Sequence, residues 1–237
     1  MIDILARYHE PRTVAPRLVV VHVNAVDEPV TGGAQNVARY CQRPAEERDG
    51  SKGGYHAIAD NIETVRGGLD EWVVNGAAGA NRDGLHVCLV GSADQSSAQW
   101  ADRFSSASID NAARYVAGWC VRYEIPASRL AAVDIRNDQR GVCGHRDVSL
   151  AYGQSDHYDP GPHFPWDLFL RRVRSFLPVE DDLPYTKAEL KDIFKDALRE
   201  EISAGLDDEG QGTPKSWWAA WFQRAKQDHF RIKKLAE

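Results

Sequence analysis

His22 and His145 are the residues of this 237-residue chain best placed to do chemistry. His22 closes the β-branched run Leu18-Val19-Val20-Val21-His22-Val23, and His145 follows the short run Gly141-Val142-Cys143-Gly144. Loops at strand ends gather functional groups on a rigid scaffold. A histidine at a strand end is, taken alone, more often structural than a ligand. The stretch after His145 shifts that balance, because it is dense in further donors: Asp156, His157, Asp159 and His163. Two imidazoles and one carboxylate, with a fourth position open to water, make the donor set of a catalytic zinc ion. Spacing alone does not choose the third donor. The four cysteines (Cys41, Cys88, Cys120 and Cys143) contain no CxxC pair and are read as buried, reduced thiols.

Strands and helices must position these groups. Leu18 to Val23 is apolar at nearly every position, which predicts a strand covered on both faces. After the Gly32-Gly33 break, Ala34 to Gln42 reads as a short helix, followed by a polar loop from Arg43 to Gly54. Tyr55 to Ala59 and Ile62 to Val65 read as the arms of a hairpin turning at Asp60-Asn61. Leu85 to Val90 is a second central strand. A long helix follows, marked by Ala112, Tyr115, Val116, Trp119, Cys120 and Tyr123 at helical spacing and ended before Pro126. The last strand, Gly141 to Cys143, runs into a loop opened by His145; Pro160-Gly161-Pro162 fixes a turn, and a final helix begins near Asp167. Strands mixed with helices predict an α/β or α+β sheet sandwich.

The composition shifts beyond this region. Residues 1–177 are expected to form one domain and 178–186 a linker. Residues 187–237 carry two amphipathic stripes, one through Leu190, Phe194 and Leu198, the other through Trp218, Trp221 and Phe222. They predict a C-terminal helical hairpin whose apolar faces need a cover; homo-oligomerisation or docking is the first reading, and a wall or membrane contact the rival.

Net charge is −6, from 29 basic and 35 acidic residues, which argues against a nucleic-acid partner. No run of 18 apolar residues exists, so no integral membrane segment is expected. The N-terminus lacks the basic and apolar regions of a signal peptide, so the chain is expected to be made in a cytoplasm.

Five short motifs occur in order: Val20-Val21-His22-Val23-Asn24, Gly54-Tyr55-His56, His86-Val87-Cys88-Leu89-Val90-Gly91, Gly144-His145-Arg146-Asp147-Val148 and Tyr158-Asp159-Pro160-Gly161-Pro162. Together they resemble the zinc-dependent type-2 N-acetylmuramoyl-L-alanine amidases of the peptidoglycan-recognition-protein family. The third motif is most similar to the phage lysozyme branch. The resemblance covers about residues 15 to 177. It implies an α/β fold with a mixed central β-sheet flanked by helices, and hydrolysis of the bond between N-acetylmuramic acid and L-alanine in peptidoglycan or muropeptides.

Carried over by position, the resemblance implies His22, His145 and Asp159 as zinc ligands, with His157 and His163 as rivals for the third place. Pro160 restricts the backbone of the residue before it, so the Pro-Gly-Pro turn can aim Asp159. Tyr55 matches a tyrosine that faces the metal-bound water or the developing oxyanion. His56, next to it in a strand, would then point to the opposite face as a buried structural group. Cys88 lies where cell-wall-recycling relatives carry a catalytic glutamate; a thiol cannot act as that base, and Cys88 is read as packing. His157 stands where many relatives carry a lysine, and is implied as a catalytic hydrogen-bond donor in its place. An extended substrate implies a groove walled by residues 24–34, 43–52, 74–83 and 149–157. The implied role is a phage endolysin, held in the host cytoplasm until lysis and then acting on the wall. A cytosolic recycling amidase and a non-catalytic peptidoglycan-binding module are the alternatives.

Overall fold

The structure is a computed structural model that describes residues 2–24 and 32–178. In chain order its elements are β1 (Ile2–Asp3), β2 (His9–Pro11), β3 (Leu18–Val23), α1 (Ala34–Gln42), a 3-10 turn (Ala45–Glu47), β4 (Ala57–Ala59), β5 (Thr64–Arg66), β6 (Trp72–Val74) and β7 (Gly84–Leu89). They continue with α2 (Ser97–Trp100), α3 (Arg103–Tyr123), α4 (Ala132–Arg136), β8 (Gly141–Gly144), α5 (His145–Tyr152) and α6 (Trp166–Ser175). Six strands form a mixed sheet in the order β1-β5-β4-β7-β3-β8, with only β4 and β5 antiparallel. This is the mixed central sheet flanked by helices that the sequence implies.

β3 and β7 are buried along their whole length, as their unbroken apolar runs require. Alternation divides β3 between two cores. Val19, Val21 and Val23 pack with Leu85, Val87 and Leu89 beneath α3 and α6. Leu18 and Val20 pack on the other face with Ile135, Cys143 and Val148 of α4, β8 and α5. Further along that second face, Ile58, Val65, Cys88 and Val90 are covered by Ala34 and Ala38 of α1. Fully burying each such valine or leucine is worth about 1.5–3 kcal/mol.

The expected hairpin forms, with β4 paired antiparallel to β5. Asp60 holds its turn: one carboxylate oxygen accepts from the backbone N–H groups of Ile62 (2.7 Å) and Glu63 (2.9 Å). The other accepts from Ala34 N–H at 2.8 Å and so caps α1, whose own preceding residue, Gly33, has no side chain to do it.

Three local expectations change. The strand begins at Ala57, so Tyr55 and His56 precede it rather than lie within it. β2 and β6 pair as a separate two-stranded ribbon, which the sequence does not announce. His145 opens a helix, α5, rather than a loop: Asp147 accepts from Gly144 N–H at 2.7 Å, Val148 buries an apolar face, and Gly153, left-handed at φ 64°, ends it. The 149–157 wall is therefore half helix. Among the described residues no helix is long and apolar enough to cross a membrane. The linker, the C-terminal hairpin and most of the 24–34 loop lie outside the described residues.

Candidate metal centre

Parallel pairing of β3 with β8 brings the two sequence-distant histidines together. Val21 is in register with Gly144, so His22 and His145, each one residue further on, become neighbours. Their rings meet edge to face with centroids 4.7 Å apart. The chain beyond α5 then returns and inserts Asp159. Its Oδ2 lies 3.1 Å from His22 Nδ1, and its Oδ1 lies 3.1 Å from His145 Nδ1. All three residues are buried.

The approach of Asp159 is fixed from several sides. Its carbonyl accepts from Arg146 N–H at 3.0 Å, and Gly161 N–H closes the turn onto the Tyr158 carbonyl at 3.1 Å. Tyr158 donates its hydroxyl to Asp94 at 2.8 Å. Gly161 cannot be replaced without rearrangement: its φ is +95°, and a Cβ there would stand 1.9 Å from the Ala93 carbonyl oxygen.

The donor set fits zinc. Three protein ligands of this kind leave a coordination position open, as catalytic zinc sites do. Donor atoms around a tetrahedral zinc stand about 3.3 Å apart, given bonds of about 2.0–2.1 Å. The two 3.1 Å histidine–aspartate separations, one to each carboxylate oxygen, are close to that, and one donor atom from each of the three residues lies within 4.8 Å of the others. The charge states fit as well. In the metal-free protein burial opposes ionisation of Asp159, but hydrogen bonds from His145 and His22, through the Nδ1 protons that a metal would displace, outweigh it and hold the carboxyl well below its ordinary range. Burial pushes His22 down, toward the neutral imidazole that a metal needs.

Other candidates fall around this cluster rather than in it. His157 stacks on His145, with ring centroids 4.3 Å apart and planes 13° from parallel. Its Nδ1 is 3.8 Å from Asp159 Oδ1, and its side chain is 62% exposed, so it stands at the rim. His163 and Asp156 are exposed and outside the group of three. The Tyr55 ring is 5.2 Å from that of His22. Burial, reinforced by Cys88, pushes the Tyr55 hydroxyl well above its ordinary value, so it remains a proton donor. Cys88 is in register beside His22 and fully buried; burial keeps its thiol protonated, which removes it as a base.

His86 was not singled out by the sequence reading, yet its Nδ1 lies 3.1 Å from His22 Nε2. Strand alternation carried the signal, since His86 and Cys88 are two apart on one strand and share a face. His56 is buried, as expected. Its Nδ1 accepts from His86 N–H at 3.0 Å, so its Nε2 carries the proton and donates to the Trp72 carbonyl at 3.0 Å.

Buried neutral histidines make stability depend on pH. Burial, aided by the Arg12 guanidinium, takes His56 from 6.5 to about 4. Above pH 6.5 it is neutral in both folded and unfolded chains. Between pH 6.5 and about 4 only the unfolded chain takes up the proton, so stability falls as pH falls. That interval corresponds to about 3 kcal/mol for His56 alone, and the lowered His22 and His86 act in the same direction. Urea unfolding of metal-free protein at pH 7.5 and 5 is expected to show the loss. His56→Gln should flatten that slope, and an equal slope in both proteins would exclude His56 as a contributor.

The fold is shared with several solved proteins. It is similar to the Staphylococcus aureus hydrolase AmiA, solved in complex with its ligand: 19% identity over 74% of this chain and 85% of that one, with a TM-score of 0.55. It is similar to AmpD in its selenomethionine form: 16% identity, 75% and 94% coverage, TM-score 0.52. A mutant endolysin from Bacillus subtilis gives 16% identity, 73% and 97% coverage, and a TM-score of 0.50. No curated protein sequence matches the chain. The sequence model of the N-acetylmuramoyl-L-alanine amidases matches residues 12–162, a span that holds His22, Tyr55, His145 and Asp159, and the chain belongs to that family, the type-2 amidases.

Proposed function

We propose that this amidase is zinc-dependent, that His22, His145 and Asp159 hold the metal, and that the chain works as a phage endolysin on the host wall. The observation that carries the metal assignment is the convergence of two buried imidazoles on one buried carboxylate at 3.1 Å each. When bound there, zinc would polarise the scissile carbonyl and lower the pKa of water from about 16 toward 7. The chain's own residues supply the rest. Asp159 and the two histidines fix where the carbonyl must lie. Tyr55, protonated throughout the working range, donates a hydrogen bond to the carbonyl oxygen as negative charge builds on it. His157 stands at the rim with its ring open to solvent, where it can donate the proton that the departing L-alanine amine requires. The glycan-linked substrate is extended and would lie in a groove across this edge of the sheet.

The test is mass spectrometry of purified wall digested with the protein. Release of stem peptides with free L-alanine amino termini, abolished by chelation and restored by zinc, is the expected result. Binding without release would favour a non-catalytic module, and cleavage at another bond would overturn the reaction. The endolysin role rests on the likeness of the His86 to Gly91 strand to the phage branch. Lysis of intact wall supports it; hydrolysis confined to soluble muropeptides would assign the chain to recycling instead.

Two further outcomes follow from this reading. His157→Ala should lower turnover by about 10- to 10³-fold with zinc retained; unchanged turnover would make His157 a solvated bystander. Truncation after Leu177 should preserve hydrolysis of soluble muropeptide and reduce the oligomeric size seen by light scattering, because residues 187–237 are assigned to self-association. Loss of activity in a folded truncation would refute that division into domains.

A further inference from the structure

We propose that His86 is the positioning residue of this centre: its ring fixes the tautomer and rotation of His22, leaving the Nδ1 lone pair of His22 free to face Asp159 and His145. The inference rests on the zinc reading above. It begins with a contact between two fully buried rings, His22 Nε2 to His86 Nδ1 at 3.1 Å, with planes 44° apart.

His86 is itself held from three directions. Its backbone is pinned through His56, whose N–H donates to the His86 carbonyl at 2.9 Å and whose Nδ1 accepts from the His86 N–H at 3.0 Å. Its ring lies over that of His56, with centroids 5.6 Å apart and planes 13° from parallel. Its edge is seated against two glycines. A Cβ on Gly76 would stand 2.4 Å from His86 Cγ and Nδ1, and one on Gly84 would stand 3.3 Å from Nε2. The two glycines thus make the space in which the ring sits beside His22, and a side chain on Gly76 would displace it.

Proton accounting then links the two rings. Each neutral imidazole carries one N–H, and one hydrogen joins His22 Nε2 to His86 Nδ1. If that hydrogen belongs to His86, the other nitrogen of His22 must carry a proton and donate it to Asp159, which blocks it as a ligand. If it belongs to His22, as occupation of Nδ1 by a metal would require, Nδ1 is a bare lone pair directed at the cluster. The proton of His86 then resides on Nε2, a buried atom with no partner among the described residues. With His86 in place, that unmet donor sits at the far end of the second ring. Without His86 it would sit on the ligand itself. Partners that hold the second nitrogen of a metal-binding histidine typically alter metal affinity by about 10–100-fold.

The experiment compares zinc dissociation constants of the full chain, its His86→Leu variant and its His86→Asn variant, by competition with a chromophoric chelator. Thermal melting of the metal-free forms is measured alongside. His86→Leu fills the space without an acceptor and is expected to bind zinc about 10–100-fold more weakly. His86→Asn returns an oxygen near the Nδ1 position and should recover most of that loss. The visible spectrum of the cobalt-loaded protein should change in the leucine variant and revert in the asparagine one. A leucine variant that melts earlier but binds zinc and cobalt as the parent does would reduce His86 to packing and overturn the inference. A measurement on the unaltered protein needs no variant to fold: long-range 15N NMR of the zinc-loaded chain should find the proton of His22 on Nε2 and that of His86 on Nε2. His86 protonated on Nδ1 would overturn the inference while leaving the zinc reading intact. A parent chain that takes up no zinc would overturn both.

Discussion

Asp159→Ala is expected to remove zinc and hydrolysis together, leaving turnover at the level of the chelated protein. Asp159 is the only carboxylate in the cluster of three, and it faces both histidines at 3.1 Å. Its removal takes away the negative charge that offsets the metal and frees two buried imidazole nitrogens from their partner. Asp159→Asn separates these effects. It keeps the volume and one acceptor oxygen but not the charge, so zinc should still be lost or greatly weakened while the fold survives. Zinc stoichiometry by elemental analysis, beside turnover on wall, decides the outcome. Retention of one zinc by Asp159→Ala, with release by His157→Ala, would exchange the roles of ligand and helper.

Tyr55→Phe should separate metal binding from chemistry. The substitution removes one oxygen from a ring packed beside His22 and leaves the three donors untouched. Zinc content and melting temperature should therefore stay close to those of the parent. Turnover should fall by about 10²–10³-fold, the usual consequence of losing one donor to a developing oxyanion. Because burial holds the hydroxyl protonated well above its ordinary range, Tyr55 should contribute no alkaline limb to the rate profile below pH 10. An unchanged rate would place Tyr55 in packing alone.

The central strands were legible because burial on both faces leaves a plain signature, as in Leu18 to Val23 and Leu85 to Leu89. α3 was legible through its apolar spacing, α1 through the Gly32-Gly33 break before it, and the hairpin through Asp60-Asn61. What stayed hidden depended on partners far away in the chain. β6 is three residues whose strand character comes from pairing with His9 to Pro11, not from a pattern of its own. α5 was obscured because its eight residues include polar Arg146, Asp147 and Ser149, and its buried face mixes Val148 with the polar His145 and Ser149. Donor types and motif order pointed to His22, His145 and Asp159, but their convergence depends on the β3–β8 register, which no local spacing encodes. His86 escaped for a related reason: as one letter in an apolar strand, it becomes informative only when His22 is known to be its neighbour.

The parallel pairing of β3 with β7 and β8 also sets the order in which this molecule can come into being. Parallel neighbours cannot be joined by a tight turn, so each pairing closes a long loop before it is rewarded. His22 and Asp159 are separated by 137 positions. A growing chain therefore exposes its most apolar strand early and must wait for β8, α5 and the Pro160 turn before a metal has three donors to meet. Contacts of such long range slow folding and prolong the exposure of unpaired strand edges. On the metal assignment proposed above, the centre would be among the last parts of the domain to be completed, and a chain that stops short of Asp159 would lack its third donor.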